Sequence, residues 1–212
     1  MQQELLPLFP LSVVLFPRTV LPLHIFEERY KEMIGDAIRD QSEFGVVLAV
    51  EKGLVNTGCS AVVDEVTRRY PDGRLDIVTR GVRRFEIESL DTGKSYLQGA
   101  VSYFNDEETS SVASDLRQQV VTSFEQLRKF LTDRSVPEPE WGDPQLSFQL
   151  AQAVADLEFR QQMLILRSEG ERIRRLAEFL PKHLAEQRHI AHVRSVAPSN
   201  GHGPRVPDVP DV

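Results

Sequence analysis

The chain has 212 residues, of which 41% are hydrophobic and 27% are charged, and its formal net charge is −7. That length fits one large domain or two small ones and is enough to bury a sizeable core. The acidic balance argues against a general nucleic-acid binder, because neutralising phosphates requires clustered lysine and arginine.

The N-terminal segment is apolar, but it lacks the features of an export signal. Such a signal needs a basic start and an unbroken apolar run of roughly 7–15 residues, whereas the only charge before Arg18 is Glu4. A membrane span needs about 20 apolar residues, and four prolines interrupt this stretch. Because the single cysteine, Cys59, also fits a reducing compartment, we expect a cytoplasmic protein with no membrane partner.

The same prolines predict short strands and turns, since proline is tolerated at strand edges where no ladder N–H is lost. Beyond them the pattern changes to helical spacing, and we expect a helix that begins near Ile25. Two glutamates in its first turn and Arg39 near its end suit the helix dipole. The apolar face of this helix consists of Phe26, Tyr30, Met33, Ile34, Ala37 and Ile38.

The next sixty residues predict β structure. The run FGVVLAV (44–50) is typical of a buried strand, and residues 96–104 form another strand. The turn PDG at 71–73 predicts a hairpin, because proline presets φ and glycine allows a positive φ. Phe85 and Ile87 alternate with glutamates, which indicates a half-buried strand, and Gly81 marks a bulge or bend.

The polar residues 105–114 form the boundary to a helical region. There, Asp143 and Pro144 predict an N-cap and a helix that continues to Leu157. Ser168 and Glu171 have the spacing of a capping box that opens a last helix, which Pro181 should kink or interrupt. A first helix of the region carries one apolar stripe, formed by Leu116, Val120, Phe124, Leu127 and Leu131.

These patterns predict three segments: a β domain at 1–105, a helical bundle at 112–194, and a tail at 195–212. The tail is rich in proline and glycine without periodicity, so we expect it to be disordered.

The sequence offers no convincing catalytic or cofactor site. Gly93-Lys94-Ser95 resembles the end of a phosphate-binding loop, but the first glycine of that motif is replaced by Glu88, so a simple turn is expected. No G-x-S-x-G motif is present, and Cys59 is expected to be a buried, inert thiol. We do not expect the C-terminal histidines to bind a metal ion, because they do not provide the number and the geometry of ligands that a metal site requires. These histidines are His183, His189 and His192.

One arginine cluster lies on neighbouring predicted strands and could contact phosphates. Interleaved acids favour a mixed, solvated sheet face instead, and few aromatic residues are available for base stacking. The cluster consists of Arg68, Arg69, Arg74, Arg80, Arg83 and Arg84.

The first 105 residues or so resemble the N-terminal substrate-binding domain of Lon-type ATP-dependent proteases. The resemblance is carried, in order and spacing, by LPLFPLSVVLFPRTVLPLHIFEERYKEMI, FGVVL, GCSAVVDEV and PDGRLDIVTRGVRRFEI. It extends less distinctively into the helical half, at SEGERIRRLAEFL. Arg18 stands where these proteases usually carry glycine, which leaves the conformation of that turn open.

The resemblance implies an α+β fold: a PUA-like, β-rich pseudo-barrel domain with one helix, followed by an α-helical bundle. A Lon protease continues into ATPase and peptidase modules, for which this chain has neither a Walker motif nor room. The resemblance therefore implies a non-catalytic polypeptide-binding or adaptor module in protein quality control. Its partners would be unfolded or peptide-like protein segments, with a Lon-type protease as a further candidate.

Two sets of contact residues follow, one for each function. A peptide groove between the two halves would have Phe16, Arg18, His24 and Phe26 at its rim, although for each of these residues the sequence favours a role in holding the first helix to the sheet. PUA-like domains often bind RNA, so the alternative function is RNA binding. Its contact residues would be Arg68, Arg69, Arg83 and Arg84.

The strand register predicts that Phe85 is a core residue. Replacement by alanine (Phe85→Ala) should then destabilise the protein by about 3–5 kcal/mol, through lost burial and the cavity that remains. Urea unfolding measures this change, with the neighbouring Glu86→Ala as the control on the opposite face. A negligible change for Phe85→Ala would show that the register is wrong.

Overall fold

The computed structural model describes residues 5–107, 112–131 and 138–196, and the side chains up to residue 193. The predicted tail lies outside these ranges from residue 197 onwards, and residues 195–196 belong to the last helix. The strands are β1 (Leu6–Leu11), β2 (Val20–Ile25), β3 (Phe44–Val50), β4 (Gly53–Arg69), β5 (Leu75–Asp91) and β6 (Gln98–Phe104). The helices are α1 (Glu28–Asp40), α2 (Ser114–Phe130), α3 (Leu146–Ala151), α4 (Leu157–Ile165) and α5 (Glu169–Val196).

The strands form one six-stranded sheet in the order β2-β5-β4-β3-β1-β6, so the predicted α+β class is confirmed. β1 and β3 are parallel, and the other neighbouring strands are antiparallel. The long strand β5 pairs with β2 through residues 75–80 and with β6 through residues 84–91. The sheet therefore curls back on itself through β4, β3, β1 and β6, and β2 lies outside this curl as an edge strand that pairs with β5 alone among the described strands.

Inside the curl, Phe85 is fully buried against a small apolar cluster, as its strand register predicted. Its ring lies over two glycines, Gly45 of β3 and Gly58 of β4. A methyl group at either glycine would come within 2.6 Å of the ring. These two positions therefore require glycine, because close-packed interiors cannot absorb such an overlap cheaply.

The predicted start of the first helix is wrong. β2 extends to Ile25, which pairs with Leu75, and the helix begins only at Glu28 after Glu27 as N-cap residue. Phe26 consequently lies before the helix and is 60% exposed, instead of contributing to the apolar face. The rest of that face is buried as predicted, through Tyr30, Met33, Ile34 and Ala37.

The helical region differs from prediction at both ends of one helix. That helix begins at Leu146 after Gln145, and not after an N-cap at Asp143; it ends at Ala151 instead of continuing to Leu157, which opens a separate helix, α4. The reason is a cap: the side chain of Asp156 accepts a hydrogen bond from the Phe159 N–H at 3.0 Å and starts the new helix.

Two helices agree with the sequence pattern. The middle of the α2 stripe is buried, at Val120, Phe124 and Leu127. At the start of α5, Ser168 Oγ accepts a hydrogen bond from the Glu171 N–H at 3.3 Å, as the capping-box spacing predicted. Pro181 does not interrupt α5, which continues to Val196.

The β and helical regions share one core. Phe16 stacks on Phe148 of α3 with ring centroids 5.2 Å apart, and both rings are fully buried. Polar contacts cross the same boundary, since Gln161 Nε2 of α4 donates to the Thr57 carbonyl at 2.9 Å. The two regions therefore pack as one body.

A buried ion network ties the end of β6 to the helices. Asp106 accepts hydrogen bonds from Arg84 at 2.6 Å and from both terminal nitrogens of Arg172 at 2.7 and 2.6 Å. Both arginines also donate to the Leu166 carbonyl, and Arg172 pairs with Glu169 at 2.9 Å. The prediction that Arg84 belongs to a surface cluster is wrong, because its side chain is 2% exposed.

The network determines the charge state of its carboxyls. Burial alone would raise the pKa of Asp106, but the hydrogen bonds and charges of Arg172 and Arg84 outweigh burial and lower it. Glu169 differs, since burial raises its pKa in spite of its bonds to Ser147 and Arg172. Asp106 is thus the anion that compensates two buried guanidinium groups.

Replacing Asp106 by the nearly isosteric asparagine (Asp106→Asn) should destabilise the protein by about 3–5 kcal/mol, because the buried Arg84 loses its carboxylate partner and Arg172 keeps only Glu169. Urea unfolding at neutral pH measures the change. The control is Asp64→Asn, since Asp64 pairs with Arg80 at the surface; there the loss should stay below about 1 kcal/mol. Equal losses in the two variants would contradict a special role for the network.

Candidate functional site

A cleft of about 430 Å³ lies between β1, β2 and the start of α1. Its walls are mostly apolar, and Phe9 and Tyr30 pack together at its base with ring centroids 4.2 Å apart. Phe26 projects at the rim. The cleft is lined by Phe9, Pro10, Leu11, Leu23, His24, Ile25, Phe26, Glu27, Arg29 and Tyr30.

No strand in the described part of the chain pairs with the edge of β2 at this cleft. The Gly81 N–H donates to the Thr19 carbonyl, and Thr79 Oγ1 donates to the Leu21 carbonyl, so alternate residues from Leu21 onwards direct their backbone groups towards β5. Val20, Pro22 and His24 therefore direct theirs away from the sheet. Pro22 loses no ladder hydrogen bond there, which accounts for a proline inside a strand.

A hydrogen-bonded cluster occupies the rim beside His24. The Asp76 carboxylate binds His24 Nδ1 at 2.5 Å and the Tyr70 hydroxyl at 2.8 Å. The His24–Asp76 contact depends on the β2–β5 register, in which these two residues are paired directly. Both bonds lower the pKa of Asp76, with that from His24 contributing most.

Aromatic and cationic groups continue this cluster as one row, which we call the rim row. It runs from Phe26 to His24 (5.9 Å between ring centroids) and on to Tyr70 (5.8 Å). Arg68 and Arg74 both lie over the Tyr70 ring, at 4.7 and 4.9 Å from its centroid. The row therefore leads from an exposed phenyl ring to two guanidinium groups.

The cleft lies within the β region and not between the two halves of the chain, where the groove was predicted. Of the four predicted groove residues, His24 and Phe26 line the cleft, whereas Phe16 and Arg18 lie elsewhere. Phe16 is fully buried in the shared core against Phe148. Arg18 is half exposed at the surface and pairs with the buried Asp143 at 3.1 Å.

The turn that contains Arg18 keeps a left-handed backbone, with φ of 62° at this residue. The Arg18 N–H donates to the Gly81 carbonyl at 2.8 Å, and a methyl group at Gly81 would come within 2.1 Å of the Phe16 carbonyl oxygen. The turn that contains Arg18 crosses close to Gly81, and this crossing fixes the backbone conformation of Arg18. The side chain of Arg18 pairs with Asp143. An arginine thus adopts the conformation that glycine adopts most readily.

The arginine cluster is dispersed in the structure. Arg68 and Arg69 are exposed, whereas Arg84 is in the interior. Arg83 pairs with Glu43 at 3.0 Å and lies 3.7 Å from the centroid of the Tyr103 ring. The four residues predicted to contact RNA therefore do not form one surface.

The remaining sequence candidates have ordinary surroundings. Cys59 is fully buried, and burial raises the pKa of its thiol. The Gly93-Lys94-Ser95 segment forms the turn between β5 and β6, where Ser95 Oγ donates to Glu32 at 2.5 Å. Among the described residues, no group of three or more histidine, cysteine or acidic side chains could hold a metal ion. None of the described helices has the length and apolar character that crossing a membrane requires.

Sequence reasoning missed Asp76 and Tyr70 as rim residues. They lie far from His24 along the chain, and only strand pairing brings them together. A signal was present in the PDG turn, which predicts the β4–β5 hairpin that carries both residues, but the pairing of β2 with β5 was not predicted.

Comparison with known proteins gives a consistent result. The model of the ATP-dependent protease La (LON) substrate-binding domain matches residues 5–197. A Lon protease of Roseiflexus castenholzii is 27% identical over 194 residues, which cover 84% of this chain and 24% of that protein. A Lon protease of Parabacteroides distasonis is 30% identical over 111 residues, or 49% of this chain and 14% of that protein. The chain thus spans about a quarter or less of these relatives.

Solved structures match the fold as well. A Lon N-terminal domain protein from Xanthomonas campestris has a TM-score of 0.66 at 25% identity, and the match covers 83% of this chain and 98% of that one. The N-terminal domain of a Mycobacterium avium complex Lon protease has a TM-score of 0.60 at 17% identity, with coverage of 85% and 100%. The second likeness supports the fold alone.

Asp76 should titrate below the ordinary aspartate pKa of about 3.9, and His24→Ala should move its pKa back upwards. The pKa of Asp76 is lower in the folded protein than in the unfolded chain. The bonds to its carboxylate therefore stabilise the fold fully at pH values above the unfolded pKa, and this stabilisation is lost as the pH falls through the folded pKa. Carboxyl-carbon NMR titration measures the shift. Asp64 is the internal control, since its lowered pKa depends on Arg80; an unchanged Asp76 in the variant would contradict the assignment.

Proposed function

Because this chain belongs to the family of substrate-binding domains of ATP-dependent Lon proteases, we propose that it is a polypeptide-binding module whose cleft between β1 and β2 receives apolar side chains of protein segments. The observation that carries the proposal is the mostly apolar cleft beside an unpaired strand edge, with Phe26 60% exposed at its rim. Exposed aromatic residues at the mouth of an apolar cleft are typical anchors of protein recognition.

The finer part of the proposal is a non-catalytic adaptor role in protein quality control. It is supported by the matching family model, which describes a substrate-binding domain rather than an ATPase or a peptidase. Unfolded or peptide-like segments are the proposed partners, with a Lon-type protease as a further one. The cytoplasm is the proposed location, because the single cysteine, Cys59, excludes an intrachain disulfide and fits a reducing compartment.

The structure offers no specific support for RNA binding as a second function. Arg84 is buried, and Arg83 pairs with Glu43 and stacks on Tyr103. A groove for single-stranded nucleic acid requires clustered cations beside several stacking rings, and the four arginines predicted to contact RNA do not lie together on one surface.

Replacing Phe26 by alanine (Phe26→Ala) should weaken the binding of a fluorescently labelled, permanently unfolded model protein by about tenfold, as expected for an aromatic anchor. Fluorescence anisotropy measures the Kd. The control is Leu90→Ala, because Leu90 is 53% exposed near the end of β5 and does not line the cleft.

Both variants should keep the wild-type melting temperature, since both side chains lie largely in solvent. An unchanged Kd for Phe26→Ala, or an equal loss for Leu90→Ala, would reject the cleft as the binding site.

A further inference from the structure

The surroundings of the cleft indicate which class of polypeptide segment it binds. Resting on the proposed function, we propose that the cleft selects extended segments that carry an acidic side chain a few residues away from an apolar anchor. The apolar anchor enters beside Phe26, and Arg68 at the far end of the rim row binds the acidic group.

The charges around the cleft point to Arg68. Most charged groups nearby are already paired: Arg29 with Glu27 at 2.7 Å, and Arg74 with Asp72 at 2.7 Å. The Asp76 carboxylate is occupied by His24 and Tyr70. Arg68 is exposed and lies opposite Asp76 in the strand register, where its charge helps to lower the Asp76 pKa, but no carboxylate lies within ion-pair distance of Arg68 among the described residues. It is therefore the cation available to a visiting anion.

The surroundings of Arg68 favour a carboxylate on a peptide. Its guanidinium lies 4.7 Å from the centroid of the Tyr70 ring, which holds the planar group in place and leaves its N–H donors for an acceptor. A carboxylate accepts two such donors side by side. The aromatic rings between Arg68 and Phe26 suit a chain that lies along them with alternating apolar side chains.

The length of the rim row determines the spacing in the bound segment. Neighbouring groups in the row are 5.9, 5.8 and 4.7 Å apart. An extended chain advances by about 3.3 Å per residue, so the acidic residue lies roughly three to five residues from the apolar anchor.

The neighbouring arginine supplies a matched control. Arg69 is also exposed, but successive side chains of a strand point to opposite faces. Arg69 pairs with Leu75, whose side chain is buried, while Arg68 pairs with Asp76 of the rim. Removing the charge of Arg69 changes the net charge of the protein by the same amount as removing that of Arg68, but it leaves the rim row unchanged.

The test uses two ten-residue fluorescent peptides of alternating valine and threonine with one phenylalanine. They differ four residues later, where one carries aspartate and the other asparagine. For the wild-type protein at low salt, the aspartate peptide should bind about two- to fivefold more tightly, as an exposed ion pair gives. The preference should disappear in Arg68→Gln, persist in Arg69→Gln and shrink in 0.5 M salt.

The outcomes separate this inference from the proposed function. Equal binding of the two peptides, with loss of both in Phe26→Ala, would reject the acidic preference and leave the polypeptide site intact. A preference that survives in Arg68→Gln would also overturn the inference. If neither peptide binds wild-type protein, the cleft itself is rejected. Circular dichroism of each variant confirms that the fold is unchanged.

Discussion

The pairing of β2 with residues 75–80 of β5 is the contact on which the candidate site depends. It places His24 directly opposite Asp76 and makes β2 an edge strand that no other described strand covers. It also carries Phe26 past the end of the sheet before α1 begins, so an aromatic side chain remains at the surface. One strand register thus creates the apolar wall, the hydrogen-bonded rim and the unpaired edge of the cleft.

The long strand β5 can support this edge because its two halves have different partners. Residues 75–80 pair with β2, whereas residues 84–91 pair with β6 and enclose Phe85 in the curl of the sheet. The buried ion network begins in the same strand at Arg84 and connects it through Asp106 to α5. The cleft therefore lies on a rigid scaffold, since the sheet and helices that support it share one core and one set of buried charges.

The prolines at the start of the chain have a structural and a functional consequence. Pro22 occupies a position on β2 whose backbone groups face away from β5, so it removes a donor from the free edge and not from the sheet. An edge with fewer donors is a poorer template for uncontrolled strand pairing. In the proposed binding mode, side chains such as Phe26 and Arg68 contribute more to the choice of partner than the backbone does.

The sequence by itself determined the elements and the family, because hydrophobic periodicity, the PDG turn and the ordered motifs are local signals. It placed Phe85 in the core, the buried face of α1 apart from Phe26, and the middle of the α2 stripe correctly. It could not reveal that Arg84 is buried or that His24 meets Asp76, since both depend on contacts between residues far apart in the chain. The helix ends at Glu28 and Ala151 were misplaced for a related reason: a strand pairing and a side-chain cap overrode the apolar periodicity. Only the tertiary structure decided which exposed residues form one cleft, because strand register is fixed by packing across the whole sheet.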